Sequence, residues 1–129
     1  MSQPNVELVQ RWIDTFADDP EGFRETLHPD LEWFPFEENH TPSHGPEGGM
    51  RIRNEWAGTW DELGAEIEDV VHRDEHVVAS IHATGRGKAS GVEVDVRLYL
   101  HFKVRDGRIV YVFEHLDRAE ALEAAGLSE

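Results

Sequence analysis

The 129-residue chain carries 27 acidic against 12 basic side chains, a formal net charge of −15, and no cysteine. That balance repels phosphates and argues against nucleic acid or an anionic membrane as a partner, while the missing thiols exclude disulfides, thiolate catalysis and cysteine-held metal centres. With 39% hydrophobic and 30% charged residues, the composition and length predict a globular chain forming one domain over residues 1–129.

No run approaches the roughly 20 apolar residues needed to cross a bilayer. Met1-Ser2-Gln3-Pro4 leads into a polar helix rather than a basic and then apolar signal segment, so the expected location is the cytoplasm. Val6, Val9, Trp12, Ile13 and Phe16 recur at helical spacing over residues 4 to 18, with Pro4 suited to the first turn. Asp19-Pro20 then caps and opens a short second helix, with Phe23 and Leu27 on its apolar side and His28-Pro29 as its stop.

Leu31 to Phe36 reads as a strand with Trp33 inward, and Pro35 confines it to an edge or ends it. The polar stretch from Glu37 to Gly45 reads as a surface loop able to cover a pocket mouth. Its His40 and His44 are four apart but lack the helix that a His-Glu-x-x-His zinc site requires, so neither a metal nor another cofactor is expected. From Pro46 a third helix shows Ile52, Trp56 and Trp60 spaced by four, which places two indoles on one helix face. Gly48 and Gly49 weaken its first turn by about 1 kcal/mol each relative to alanine.

Strand patterns follow over residues 65–73, 76–86, 92–104 and 108–116, as an antiparallel meander. Asp117, with Glu120 three residues on and Gly126 at the far end, frames a short last helix. The element order predicts an α+β fold with the helices on one side of a curved sheet.

The longest strand alternates cleanly, with Val92, Val94, Val96, Leu98, Leu100, Phe102 and Val104 on its core face. The last strand is apolar on both faces, Val110, Val112, Glu114 and Leu116 on one, and Ile109, Tyr111, Phe113 and His115 on the other. The turn between them decides which side faces in. A three-residue loop Arg105-Asp106-Gly107 pairs Leu100 with Val112 and Leu98 with Glu114, turning Glu114 inward; a strict two-residue turn at Asp106-Gly107 presents His115 instead.

"NVELVQRWIDTF", "HPDLEWFPF", "GPEGGMRIRNEWAGTW", "SGVEVDVRLYLHFKVRDGRIV" and "EHLDRAEALEAAGL" follow one another along nearly the whole chain. In this order the segments resemble the SnoaL-like polyketide cyclase branch of the nuclear transport factor 2-like superfamily. The resemblance implies a cone of curved antiparallel sheet wrapped by the N-terminal helices, a cystatin-like roll with an apolar pocket at its open end. In the similar limonene epoxide hydrolases an aspartate of the last strand faces the pocket at the position of Glu114, which supports the three-residue turn. The match also places Trp33, Trp56, Trp60, Leu98, Leu100, Val112 and Leu116 on the pocket wall as binders of a small apolar molecule. The epoxide hydrolases further use an arginine and a second aspartate where this chain has Ile81 and Ala83, and a tyrosine and an asparagine met here by Trp33 and Pro35, so their machinery is absent. Leu100 stands where many relatives carry a histidine, which makes the pocket drier.

Two function classes follow. One is an isomerase, cyclase or hydratase-like enzyme in which Glu114 is catalytic, since a carboxyl group in apolar surroundings becomes a usable acid or base near neutral pH. The other is a non-catalytic ligand-binding or dimerisation module, for which Glu114 and the indoles are structural. The mixed aromatic and polar outer sheet face, with His82, His101 and His115 near Arg97, Tyr99 and Phe113, predicts a homodimer.

Overall fold

Proline and cap placement set the first half of the chain. In the computed structural model, which describes residues 3–35 and 42–127, helix α1 runs from Gln3 to Phe16 and α2 from Pro20 to Glu25. Asp19 caps α2 by accepting a hydrogen bond from the Gly22 backbone N–H at 2.9 Å. The helix ends earlier than Leu27, which opens strand β1 (Leu27–Phe34). His28 and Pro29 therefore lie inside a strand, and Leu27 packs from the sheet.

The residues from Ser43 to His44 form a short strand, β2, which pairs with β1 and was not foreseen in the polar loop. Helix α3 (Gly45–Thr59) follows directly. Gly49 is where α3 meets β1 most closely: a Cβ there would lie 2.9 Å from both Leu27 Cδ1 and Leu31 Cδ2. The glycine that weakens the helix by propensity is thus what lets its backbone approach the sheet. Arg53, buried on α3, donates from Nε to the Phe16 carbonyl at 2.8 Å and from Nη2 to the Ala17 carbonyl at 3.0 Å. It satisfies carbonyls at the end of α1 and ties α1 to α3.

Strands β3 (Trp60–Arg73), β4 (His76–Gly87), β5 (Glu93–Arg105) and β6 (Arg108–His115) form the meander, and the sheet order is β2-β1-β6-β5-β4-β3. The pairing is mixed rather than wholly antiparallel, because β1 runs parallel to β6. Register shifts interrupt β3 between Asp61 and Gly64 and again between Ile67 and Asp69, and such bulges bend a strand and increase its twist.

The β5–β6 turn departs from the three-residue expectation. Arg105 pairs with Arg108 and Val104 with Ile109, leaving Asp106 and Gly107 as a two-residue turn with φ of 55° and 73°. Positive φ at both central residues is the hairpin turn that an Asp-Gly pair favours. A bulge then falls in β6: Lys103 pairs with Tyr111, so Val110 is the extra residue, and Leu100 pairs with Glu114 rather than Val112. The net shift restores Glu114, not His115, to the side shared with Leu100.

One face of the sheet packs against α1, α2 and α3. Val9, Trp12 and Ile13 of α1 meet Phe23, Trp33, Ile52, Ile81, Leu98, Leu100, Phe102 and Val112. Trp12 lies at the centre, with the rings of Phe16, Phe23, Trp33 and Phe102 all within 5.1–5.5 Å. Each large side chain buried here contributes roughly 1.5–3 kcal/mol. The last helix, α4 (Arg118–Ala125), covers the opposite face, where Ala121, Leu122 and Ala125 pack on Val78 with Tyr99 beside them. The helices therefore occupy both faces, not one. No helix among the described residues is long and apolar enough to cross a membrane.

Candidate functional site

α1, α3 and the sheet do not close completely. Between them lies a small apolar cavity of about 60 Å³ that opens to solvent. Trp12, Ile13 and Phe16 line it from α1, Trp56 from α3, and Leu63, Gly64 and Ala65 from β3. The floor comes from Ile81 and Ala83 of β4, Leu98 and Leu100 of β5, Trp33 of β1 and Glu114 of β6. Glu114 is the one ionisable side chain among these described lining residues.

Glu114 is 4% exposed, and the Trp33 indole Nε1 donates a hydrogen bond to its Oε2 at 2.6 Å. Burial of a carboxyl group is tolerable only with such donors, and a hydrogen bond to a charged group is worth about 1.5–3 kcal/mol. The contact links adjacent parallel strands, since Trp33 sits opposite Val112, two residues before Glu114. Trp33 thus has a polar task besides filling the core.

Of the residues expected on the wall, Trp33, Trp56, Leu98, Leu100 and Glu114 come together around the cavity. Val112 is fully buried but packs in the core beside it. Trp60 is not on the helix: it is the first residue of β3 and lines an adjoining cleft with Trp56, Val94 and Val96, its ring 6.3 Å from that of Trp56. The helix ends at Thr59, so the four-residue spacing stops one position short. Leu116 is a correction. It is 64% exposed, because β6 ends at His115 and the chain turns away toward α4.

Sequence patterning had passed over two features. Trp12 supplies an indole whose Nε1 is buried without a hydrogen-bond partner. Leu63, Gly64 and Ala65 line the cavity because β3 begins five residues earlier than its alternation suggested.

The outer face carries a different chemistry. His76 Nδ1 and His101 Nε2 share a hydrogen bond at 2.9 Å, and Tyr111 stands edge-on to His101 with ring centroids 5.3 Å apart. Burial, then His76, Lys103 and His115, pushes His101 down to about 4. Phe113 packs on His115 and Phe34 at 4.5 and 5.4 Å. His82 does not join this group: it pairs with Asp95 at 2.7 Å, and that hydrogen bond raises its pKa. His44 is exposed on β2, and His40 lies outside the described residues. Among the described residues no three His, Asp or Glu side chains gather as metal ligands.

The SnoaL-like domain model matches residues 9–112. The chain belongs to the SnoaL-like family. Comparison with curated proteins finds no match. Among solved structures, the SnoaL-like chain is similar to a protein assigned to the SnoaL-like polyketide cyclases from Jannaschia sp. CCS1, with TM-score 0.79 and 23% identity over 98% of this chain and 94% of that one. An NTF2-like protein of unknown function from Burkholderia pseudomallei K96243 superposes with TM-score 0.78 and 18% identity, covering 95% and 98% of the two chains. A protein of ketosteroid isomerase-like fold from Catenulispora acidiphila DSM 44928, in complex with trimethylamine, gives TM-score 0.77 and 15% identity over 95% and 94%. At these identities the likeness is one of fold, and the chemistry has to be argued from the SnoaL-like chain's own cavity.

Proposed function

We propose that this SnoaL-like protein is an isomerase, cyclase or hydratase-like enzyme that holds a small apolar molecule in the inner cavity, with Glu114 moving a proton on it. The observation that carries the reading is a carboxyl group, 4% exposed, on the wall of an otherwise hydrocarbon-lined cavity and held by the Trp33 N–H. Such a group is positioned for proton transfer next to a carbonyl, a contribution of about 10²- to 10⁴-fold. Trp56, Leu98 and Leu100 would supply the apolar contacts, and a protein of similar fold forms a complex with a small amine, trimethylamine.

Acetophenone provides a test, because its methyl protons exchange with deuterium in heavy water when a base removes one. The intact protein should accelerate that exchange, and Glu114→Gln should reduce it by at least 100-fold while acetophenone still binds, because glutamine keeps an acceptor for Trp33. Equal exchange by both proteins would refute the role of Glu114.

A second reading, a non-catalytic dimerisation module, is favoured by one observation: Phe34, Tyr111 and Phe113 form a partly exposed aromatic surface on the outer face. The same surface would support a homodimer for the enzyme, and a monomeric mass at micromolar concentration would contradict it.

A further inference from the structure

The inner cavity is smaller, as it stands, than the ring it is proposed to take. Its volume is about 60 Å³, whereas an apolar cavity known to hold benzene measures roughly 150 Å³. Beside it lies the apolar cleft at Trp60, of about 10 Å³, and Trp56, Leu63 and Ala83 line both spaces. The sheet beneath them is continuous. On β4, Ile81 and Ala83 belong to the cavity and Ala83 and Gly85 to the cleft; on β5, Leu98 and Leu100 belong to the cavity and Val94 and Val96 to the cleft. These alternate positions share one face, and Ile81 pairs with Leu98, Ala83 with Val96 and Gly85 with Val94. Along β4 the side chains shrink outward from isoleucine to alanine to glycine, while along β5 they pass from buried Leu98 to half-buried Val96 and Val94. The result is an apolar trough crossed by Trp56 and Leu63. Leu63 stands in the β3 irregularity between Asp61 and Gly64, a kind of feature that re-aims side chains. Trp56 is half-buried in the last turn of α3, its ring tilted 31° from that of Trp60.

We propose that the cavity and the cleft are two halves of one binding channel gated by Trp56, and that its ligand is an apolar molecule with a linear hydrocarbon tail. The head occupies the inner cavity, and the tail lies over Ala83 toward Val96. With the indole swung aside the two spaces merge, because an indole is larger than either gap it separates. A trough walled by Leu63 and Val96 accepts an unbranched chain and crowds a branched one. No polar contact is required of the wall, and apolar area removed from water supplies the affinity.

The inference rests on the cavity being the small-molecule site proposed above, but not on turnover by Glu114. Its test compares para-butylacetophenone with para-tert-butylacetophenone, which has the same atoms and a branched tail, by calorimetric titration of the intact protein. The linear isomer should bind about tenfold tighter, because more of its tail leaves water. Ala83→Leu fills the passage between the two halves and should erase that preference. Trp56→Leu should speed association of the linear isomer about tenfold in stopped-flow fluorescence, since binding no longer waits for a ring to move. Equal affinities for the two isomers, binding of neither, a preference that survives Ala83→Leu, or an association rate unmoved by Trp56→Leu would overturn the proposal. If the variants do not fold, the comparison of isomers on the unsubstituted protein decides alone. A preference for the linear isomer without deuterium exchange would leave this inference standing and defeat the Glu114 reading. Exchange with equal affinities would do the reverse.

Discussion

The two faces of the β5–β6 hairpin bury ionisable groups in opposite ways. Inside, Glu114 lies across from Leu100 in an apolar cavity and takes a hydrogen bond from Trp33. Outside, His101 lies across from Phe113, is 1% exposed, and is surrounded by His76, Lys103 and Tyr111, with no carboxylate among the causes that set its charge. Its Nδ1 has no hydrogen-bond partner. The inner group is supplied with a donor and lines a cavity, whereas the outer group is kept neutral by its surroundings. Burial alone does not distinguish them, and the neighbours do.

Substitutions along the hairpin can break this contrast. The largest effect is expected at Phe102, fully buried against Trp12 on the inner face. Phe102→Ala should lower stability by about 3–5 kcal/mol in urea denaturation, and a loss below about 1 kcal/mol would mean that the aromatic cluster is loosely packed.

Next comes the pH dependence of the outer face. Because the folded pKa of His101 lies near 4, below the ordinary 6.5, the unfolded chain binds more protons between those values. The stability linked to the neutral imidazole is present above about pH 6.5 and is lost as pH falls toward 4, by up to about 3 kcal/mol. His101→Phe should flatten this part of the profile when unfolding free energies at pH 7 and pH 4 are compared with the unsubstituted protein, and an unchanged slope would place the acid sensitivity elsewhere. The smallest of the three is Trp33→Phe, which removes the donor to Glu114 and should cost about 2 kcal/mol at neutral pH. A neutral outcome would mean that this indole N–H does little to keep the carboxyl group buried.

Much of the fold was legible because long periodic segments leave little choice. The alternation from Leu98 to Val104 assigned the inner face of β5 correctly, and α1 and α3 appeared where their apolar spacing put them. The SnoaL-like resemblance added the cavity and its wall. Errors collected where a local rule met tertiary context. The inward placement of Glu114 was reached through the wrong turn: a two-residue turn and a bulge at Val110 together give the side expected from a three-residue loop. The bulge leaves no mark in a strand that is apolar on both faces. Trp60 and Leu116 were extrapolated one step past an element's end, where side chains no longer follow its period. Leu27 fitted a helix by spacing and joined β1 because the sheet offered it a buried neighbour. Arg53 was invisible for a different reason: its partners are backbone carbonyls of α1, which side-chain patterning does not describe.

The most direct measurement is a crystal structure of the protein soaked with acetophenone. The molecule should lie between Trp56 and Leu98 with its methyl carbon against the Glu114 carboxyl group. A Glu114 side chain turned to bulk water, or a cavity filled by the tryptophans with the compound bound elsewhere, would contradict the account.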